Sequence, residues 1–416
     1  MKPNMKVFKI ALNNVMKNKR RSTLNMMTIA LNVFILLYGM GMLVGQFNAM
    51  FERMIELQTG HMKIFNKEYN AEKQTLPLDI NIENAGQVLE DIKGTPHLKA
   101  ASARIVHMGF ISNTKKKMAV AVYGIDMEQE KKILTLYDKI DGSLLSGGGA
   151  QVVAGKKLSE ILEFKPGSSV LLFSQTLYNA NNLTDADVKG VYSAGFDMME
   201  KSAVYVPINF AQEFFDMKGK ATEIIIRLDK TENVPAAKKH IAAILKDKYP
   251  QLEVLDWKEI SPELMETAKM KYSSFFMFLI VLLFLAVFII MNTLTMTVFE
   301  RVPEIGTLRA IGFQKNQIMS LFMTEGFILS VLGVILGYII SAPLVYYMNV
   351  HGMVLDAEMI SSYNIPMSNT LKAINTFYDW VVAGVVCIIA GTIGAYFPAV
   401  RASKINIVVA LKKGVR

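Results

Sequence analysis

Four stretches of this chain are apolar for twenty or more residues, which leaves few water-soluble folds open to it. They run over about 23–45 ("TLNMMTIALNVFILLYGMGMLVG"), 273–298 ("SSFFMFLIVLLFLAVFIIMNTLTMTV"), 321–348 and 378–400. Crossing a hydrocarbon layer about 30 Å thick takes roughly 20 mostly apolar residues in a helix. The expected fold class is a membrane protein with four transmembrane helices. Charged residues make up 19% of the chain, below the roughly 25% of an ordinary soluble domain. A signal peptide is the alternative for the first stretch. Its basic flank fits, but the apolar core is too long and no small-residue cleavage site follows cleanly, so the stretch reads as a retained anchor.

Lysine and arginine exceed aspartate and glutamate by 45 to 36, and the placement of that excess decides its meaning. Residues 1–22 hold Lys2, Lys6, Lys9, Lys17, Lys19, Arg20 and Arg21 with no acid. Residues 401–416 hold Arg401, Lys404, Lys412, Lys413 and Arg416, again with no acid. Basic clusters against apolar spans mark the cytoplasmic side, which argues for topology and lipid contact and against nucleic acid. Both termini are then cytoplasmic, 46–272 and 349–377 lie outside, and 299–320 lies inside. The three inside pieces carry +7, +1 and +5, leaving −4 elsewhere to reach the net +9. Cys387 is the single cysteine, so no disulfide forms within the chain.

The long excursion between the first two spans is large enough for one or two subdomains. Runs such as "KMAVAVYGI", "AQVVAG", "SSVLLF", "SAVYVPI" and "TEIIIRL" read as strands. Residues 235–249 place Ala237, Ile241, Ile244 and Leu245 on one helical face. The reading is a large α+β extracytoplasmic domain inserted between the first and second transmembrane helices, with no fixed-period repeat.

The spans flanking this domain overshoot the bilayer. Phe47, Met50, Phe51, Met54 and Leu57 continue the first at spacings of three and four. Ser261, Pro262 and Glu263 suit the start of a helix that leads into the second. As single helices, 22–58 and 261–298 would each reach about 55 Å at about 1.5 Å per residue, leaving a stalk outside the membrane. The alternative is a break at the interface. The expected layout is a basic, amphipathic lead-in (1–22), first helix and stalk (23–58), extracytoplasmic domain (59–260), stalk and second helix (261–298), cytoplasmic segment (299–320), third helix (321–348), outer loop (349–377), fourth helix (378–400) and cytoplasmic tail (401–416).

Residues 299–313, "FERVPEIGTLRAIGF", interrupt the apolar sequence with charge. Pro303 can start a helix, Glu304 suits its first turn and Gly312 its end. Ile305, Leu308 and Ile311 share one face, with Glu304 and Arg309 off it. An amphipathic loop on the inner leaflet is the bland alternative to a helix that docks a partner.

"ERVPEIGTLRAIGFQKNQI" resembles the signature of MacB/FtsX-type ABC transporter permeases, with Thr307 the main departure. "ALNNVMKNKRRSTLNMMTIAL", "TEGFILSVLGVILGYI" and "FPAVRASKINIVVALK" resemble the family's first span, third span and exit, although Ile407 stands where proline is usual. "VYGID" and "GVYSAGFDMMEKSAVYVPI" match its outer domain loosely. The resemblance implies a coupling helix, carried by Glu304, Ile305, Leu308, Arg309 and Ile311, that docks on a cytoplasmic ABC ATP-binding subunit. Two such ATPases would work with two permeases, the second a copy or a paralogue, in a bacterial inner membrane. ATP and magnesium would bind the ATPase and no cofactor this chain.

The size of the outer domain, without a fused ATPase, most resembles the LolC/LolE branch, which releases lipoproteins from the inner membrane to a periplasmic carrier. Outward-facing Met42, Phe47, Met50, Phe51, Met265 and Met270 would then hold acyl chains, methionine suiting an irregular ligand. Stalk–stalk packing is the competing role for them. The other readings are an exporter of peptide, haem or antibiotic, a non-transporting FtsX-like regulator of cell-wall hydrolases, and a membrane enzyme.

Catalytic patterns are missing. "AQVVAGKK" (150–157) is the nearest approach to a phosphate-binding loop, but Ala150 and Lys157 replace the required glycine and hydroxyl. His61, His97, His107, His240 and His351 lack metal-ligand spacing, so no metal is expected. Gly333 and Gly337, with Gly326, Gly391 and Gly394 as further small residues, mark close helix packing. Glu325, near the inner end of the third span, is either functional or snorkelling to the interface.

Overall fold

A computed structural model describes residues 3–71, 76–195, 197–355 and 370–406. Lys2, residues 356–369 of the expected outer loop 349–377, and the tail from Ile407 through Lys412, Lys413 and Arg416 lie outside the described residues. In chain order the helices are α1 (Pro3–Lys17), α2 (Lys19–Met54), α3 (Lys67–Ala71), α4 (Ala85–Ile92), α5 (Met127–Ile133), α6 (Lys156–Leu162), α7 (Asp197–Ser202), α8 (Ile208–Phe214), α9 (Val234–Lys248), α10 (Trp257–Ile260), α11 (Pro262–Glu300), α12 (Val302–Ala310), α13 (Lys315–Val350) and α14 (Phe377–Ser403). Four of them, α2, α11, α13 and α14, are long and apolar enough to cross a membrane. The chain divides into two compact units. One comprises 1–47, 267–354 and 370–416, and the other 48–266 with 355–369.

The first unit holds the apolar helices, and small residues let them close on one another. A Cβ on Gly333 would lie 2.7 Å from that of Ile29, and one on Gly337 2.7 Å from that of Val33, so α13 lies tight against α2. Gly326 meets Ala395 and Gly391 meets Ser330 in the same way, joining α13 to α14. Helix α14 begins where Thr376 and Asp379 exchange backbone and side-chain hydrogen bonds, Thr376 N–H donating to Asp379 Oδ2 at 2.7 Å. Asn375 Nδ2 donates to Leu37 O at 2.9 Å, and Ile374 N–H to Gly41 O at 2.9 Å. Residues 372–376, the strap before α14, thus lie on the glycine face of α2. A side chain at Gly45 would fall 1.7 Å from Lys372 O. Helix α2 is unbroken for 36 residues and α11 for 39, about 54 and 58 Å at about 1.5 Å per residue.

In the second unit the strands are β1 (Met62–Asn66), β2 (Leu98–Ser112), β3 (Lys117–Ile125), β4 (Ile140–Gly142), β5 (Gln151–Gly155), β6 (Ser169–Gln175), β7 (Asn181–Tyr192), β8 (Ala203–Pro207), β9 (Glu223–Leu228) and β10 (Leu252–Asp256). Pairing runs β2–β3–β8–β5–β7–β6 and back to β2, closing a six-stranded ring. Alternate residues such as Ile105, Val120, Val122, Leu172, Val188 and Val204 fill one core with Phe214 and Phe215 of the α8 region. The fifteen residues of β2 serve twice, because their first half pairs instead with β9, which continues through β1 to β10. Helices α4 and α9 cover this open part; Val88 and Ile92 of α4 meet Ala237, Ile241 and Leu245 of α9 over Ile64 and Ile226. The α+β reading of the excursion holds.

A charge cluster is buried in this unit. Lys63 Nζ donates to Glu223 Oε1 at 2.8 Å, Arg104 Nε to Glu130 Oε1 at 2.7 Å, and Arg104 Nη1 approaches Glu223 Oε1 at 3.5 Å. The two cations and two anions balance, as burial of charge demands. The end of α2 continues into a π-helical turn, Ile55–Thr59, held by Gly60 N–H donating to Ile55 O at 3.1 Å. His61 follows, fully enclosed. Its Nδ1 accepts the Leu228 N–H at 3.2 Å and its Nε2 faces Thr231 Oγ1 at 3.1 Å. That pair of partners fits the neutral ring, and burial pushes its pKa down to about 4.

Candidate coupling site

Helix α11 ends at Glu300, and Arg301 turns the chain with φ −96° and ψ 13°. Pro303, in the first turn of α12, lacks an N–H that would have no partner there anyway. Gly312 ends the segment at φ +102°, where an L side chain is strained, and Phe313 N–H closes it by donating to Leu308 O at 3.0 Å.

Arg301 organises this turn. Its Nε donates to Glu304 Oε2 at 2.8 Å, its Nη1 reaches Glu325 Oε2 at 3.3 Å, and its guanidinium sits over the Phe322 ring at 5.6 Å. Glu325 is only 3% exposed within α13, so the arginine supplies the charge its burial requires. At the preceding residue, Glu300 at the foot of α11 pairs with Arg21 at the head of α2.

The apolar edge of α12 points inward. Ile305 is buried with Val298, Ile318, Phe322, Ala399 and Ala402, and Leu308 packs on the same cluster. This corrects the expectation that Ile305, Leu308 and Ile311 together face a partner. A nine-residue helix pinned between α11 and α13 uses its apolar edge to seat itself. Ile311, past its last turn, is 71% exposed, and Glu304 and Thr307 are exposed beside it. Arg309 is half-buried, and its Nε has no hydrogen-bond partner among the described residues. The face open to a partner is therefore Glu304, Thr307 and Ile311.

The expected acyl-binding set is also redistributed. Phe47 is buried and stacks on Tyr272 with centroids 4.9 Å apart; Met50 is buried as well. Neither faces outward as expected, because the three-and-four spacing marks a packed side of α2. Phe51 lies 4.8 Å from the Trp257 ring, in a cluster with Met54, Ile55 and Met265. Met42 is half-buried, and only Met270, 71% exposed, is openly available. In the first unit a cavity of about 260 Å³ opens instead, lined by Leu36 and Met40 of α2, Phe276 and Ile280 of α11, and Val382 and Val386 of α14.

Glu325 stands out in the sequence as a charge within an apolar span, whereas its partner Arg301 and the packing residues Gly41 and Gly45 emerge from the fold. The signals were there, an arginine opening the charged segment and a second four-residue glycine spacing. Among the described residues no three His, Cys, Asp or Glu side chains gather in a metal-binding group.

Two family descriptions match the chain, a MacB-like periplasmic core domain over residues 22–244 and an FtsX-like permease C-terminal region over 276–407. The lipoprotein-releasing system transmembrane protein LolC of Xylella fastidiosa is 24% identical over 332 residues, covering 76% of this chain and 78% of that one. The ABC transporter permease YtrF of Bacillus subtilis is 32% identical over 236 residues, 52% of this chain and 49% of the other. Among solved structures, the periplasmic region of MacB from Actinobacillus actinomycetemcomitans aligns with a TM-score of 0.38 at 15% identity, covering 52% of this chain and 97% of that one.

Proposed function

The chain belongs to the MacB/FtsX-type ABC transporter permeases, and from that premise we propose that it is the non-catalytic membrane subunit through which a separate cytoplasmic ATPase moves an extracytoplasmic domain. The observation that carries this reading is the continuity of α11. Its 39 residues end directly in the turn that seats α12, so a push on α12 acts on a rod nearly twice as long as the hydrocarbon layer is thick. In this reading both termini are cytoplasmic, the membrane is a bacterial inner membrane, and two permeases, identical or paralogous, pair with two ATPases.

The cargo we propose is the acyl portion of a lipoprotein. The supporting features are the likeness to proteins named for lipoprotein release and the apolar cavity between α2, α11 and α14. That cavity, about 260 Å³ with an almost wholly apolar lining, offers the chemistry that hydrocarbon requires. Export of a small molecule or peptide is the competing reading, since one relative named for macrolide export, from Mannheimia succiniciproducens, aligns over 98% of this chain at 20% identity.

The test is reconstitution of the chain with its ATPase in proteoliposomes loaded with a lipid-modified protein. Release to a soluble acceptor is expected, with Met40→Asp abolishing release while the ATPase stays bound. Failure to release lipid-modified protein, combined with ATPase stimulation by a macrolide or peptide, would replace this cargo with the exporter reading. For the coupling face, Ile311→Asp and Glu304→Lys are expected to lose ATPase capture in a pull-down; retention by both would remove α12 from that role.

A further inference from the structure

We propose that α1 is a lipid-reading element that binds the anionic headgroups of the leaflet it lies against. This goes beyond the transport reading and does not depend on it. The first observation is a bend. Ser22 Oγ donates to Val15 O at 2.8 Å, across seven residues. Seven residues of a straight helix rise about 10 Å, so the bond forms only because the axis turns at Asn18 between α1 and α2.

The bend lays α1 against α13 with its sides sorted. Ala11 and Val15 are buried in a cluster that includes Leu321 and touches Leu308 of α12. Beside that packed side, Phe8, Leu12 and Met16 recur every fourth residue and are 50%, 40% and 62% exposed. Lys9 and Lys17 are exposed on the flank beyond, and Lys19 and Arg20 are exposed just after the bend. Residues 1–22 contain no acid. An apolar stripe bordered by cations is the pattern of a helix lying in the interface, and a polybasic segment there is drawn to anionic lipid. Because Ala11 and Val15 share a cluster with Leu308, headgroups that hold α1 also hold the support of α12.

The test uses the full-length chain in nanodiscs of phosphatidylcholine mixed with phosphatidylglycerol, followed by quantification of lipids retained on mild extraction. Phosphatidylglycerol is expected at about fivefold its bulk proportion, falling to the bulk ratio in the Lys9→Gln/Lys17→Gln/Lys19→Gln/Arg20→Gln variant. An equal ratio for both proteins overturns the proposal. Should the variant fail to fold, the wild-type protein decides: high salt is expected to erase its enrichment, and salt-insensitive retention overturns the proposal. Disulfide capture of two copies through Leu12→Cys, in a Cys387→Ser background, would show that a second chain covers this face and would equally refute it.

Discussion

The guanidinium of Arg301 lies 3.3 Å from the carboxylate of Glu325, joining the turn that opens α12 to a charge inside the third membrane helix. Removing one member of a buried ion pair strands the other, at a cost of about 3–5 kcal/mol. Glu325→Leu is therefore expected to lower stability by about 3 kcal/mol in detergent. Arg301→Met/Glu325→Leu should cost less than the sum of the single changes. A double-mutant cycle from thermal unfolding measures this, and additive losses would show that the pair contributes nothing.

His61 makes the extracytoplasmic unit acid-sensitive. Its ordinary pKa is about 6.5 and its folded value about 4, so between these limits the unfolded chain binds more protons. The stability it contributes is complete above pH 6.5 and is lost as pH falls towards 4. A difference of that size between the folded and unfolded chain is worth about 3 kcal/mol. Urea unfolding at pH 7 and pH 4.5 is expected to show most of that loss. His61→Gln should flatten this part of the profile.

Arg104 is flanked by Glu130 and Glu223 at 1% exposure. Arg104→Met leaves two buried carboxylates with only Lys63 to answer them. The expected loss is about 3–5 kcal/mol, read as rapid proteolysis within residues 98–228. Arg104→Lys should recover little, because an ammonium cannot reproduce the forked contact.

At Gly45 the strap before α14 leaves no room for a side chain on α2. Gly45→Ala would put a methyl carbon 1.7 Å from Lys372 O, whereas the same change at Gly94 meets nothing within 4 Å. Overpacking costs about 1–3 kcal/mol, so a drop in melting temperature is expected for the first and none for the second.

The membrane part of this architecture is largely legible in the sequence, because a lipid-spanning helix announces itself by length and composition alone. Strands β3, β8 and β9 are equally plain, being runs of β-branched and aromatic residues. Strand β2 is not. "LKAASARIVHMGFIS" mixes small residues with a buried arginine, and its two halves pair with different neighbours, so no simple alternation survives. Strand β7 begins with the polar run "NNLTDAD" and is held by its hydrogen-bonded partners. At residues 299–313 the helix and its ends follow from proline and glycine. Which side faces inward does not, because Ile305 and Ile311 are the same residue type and only the position of α13 tells them apart.

The doubled use of β2 and the late partners of β1 also set a schedule for the chain's birth. Lys63 and Glu223 are 160 residues apart, so the first strand leaves the ribosome and crosses the membrane long before the strand that neutralises it has been made. Until then it travels with an open edge and an unanswered charge, the state most exposed to proteases and chaperones. Completion of the open part of this unit is therefore a late event: a polypeptide halted before residue 223 holds its opening strand with nowhere to put it.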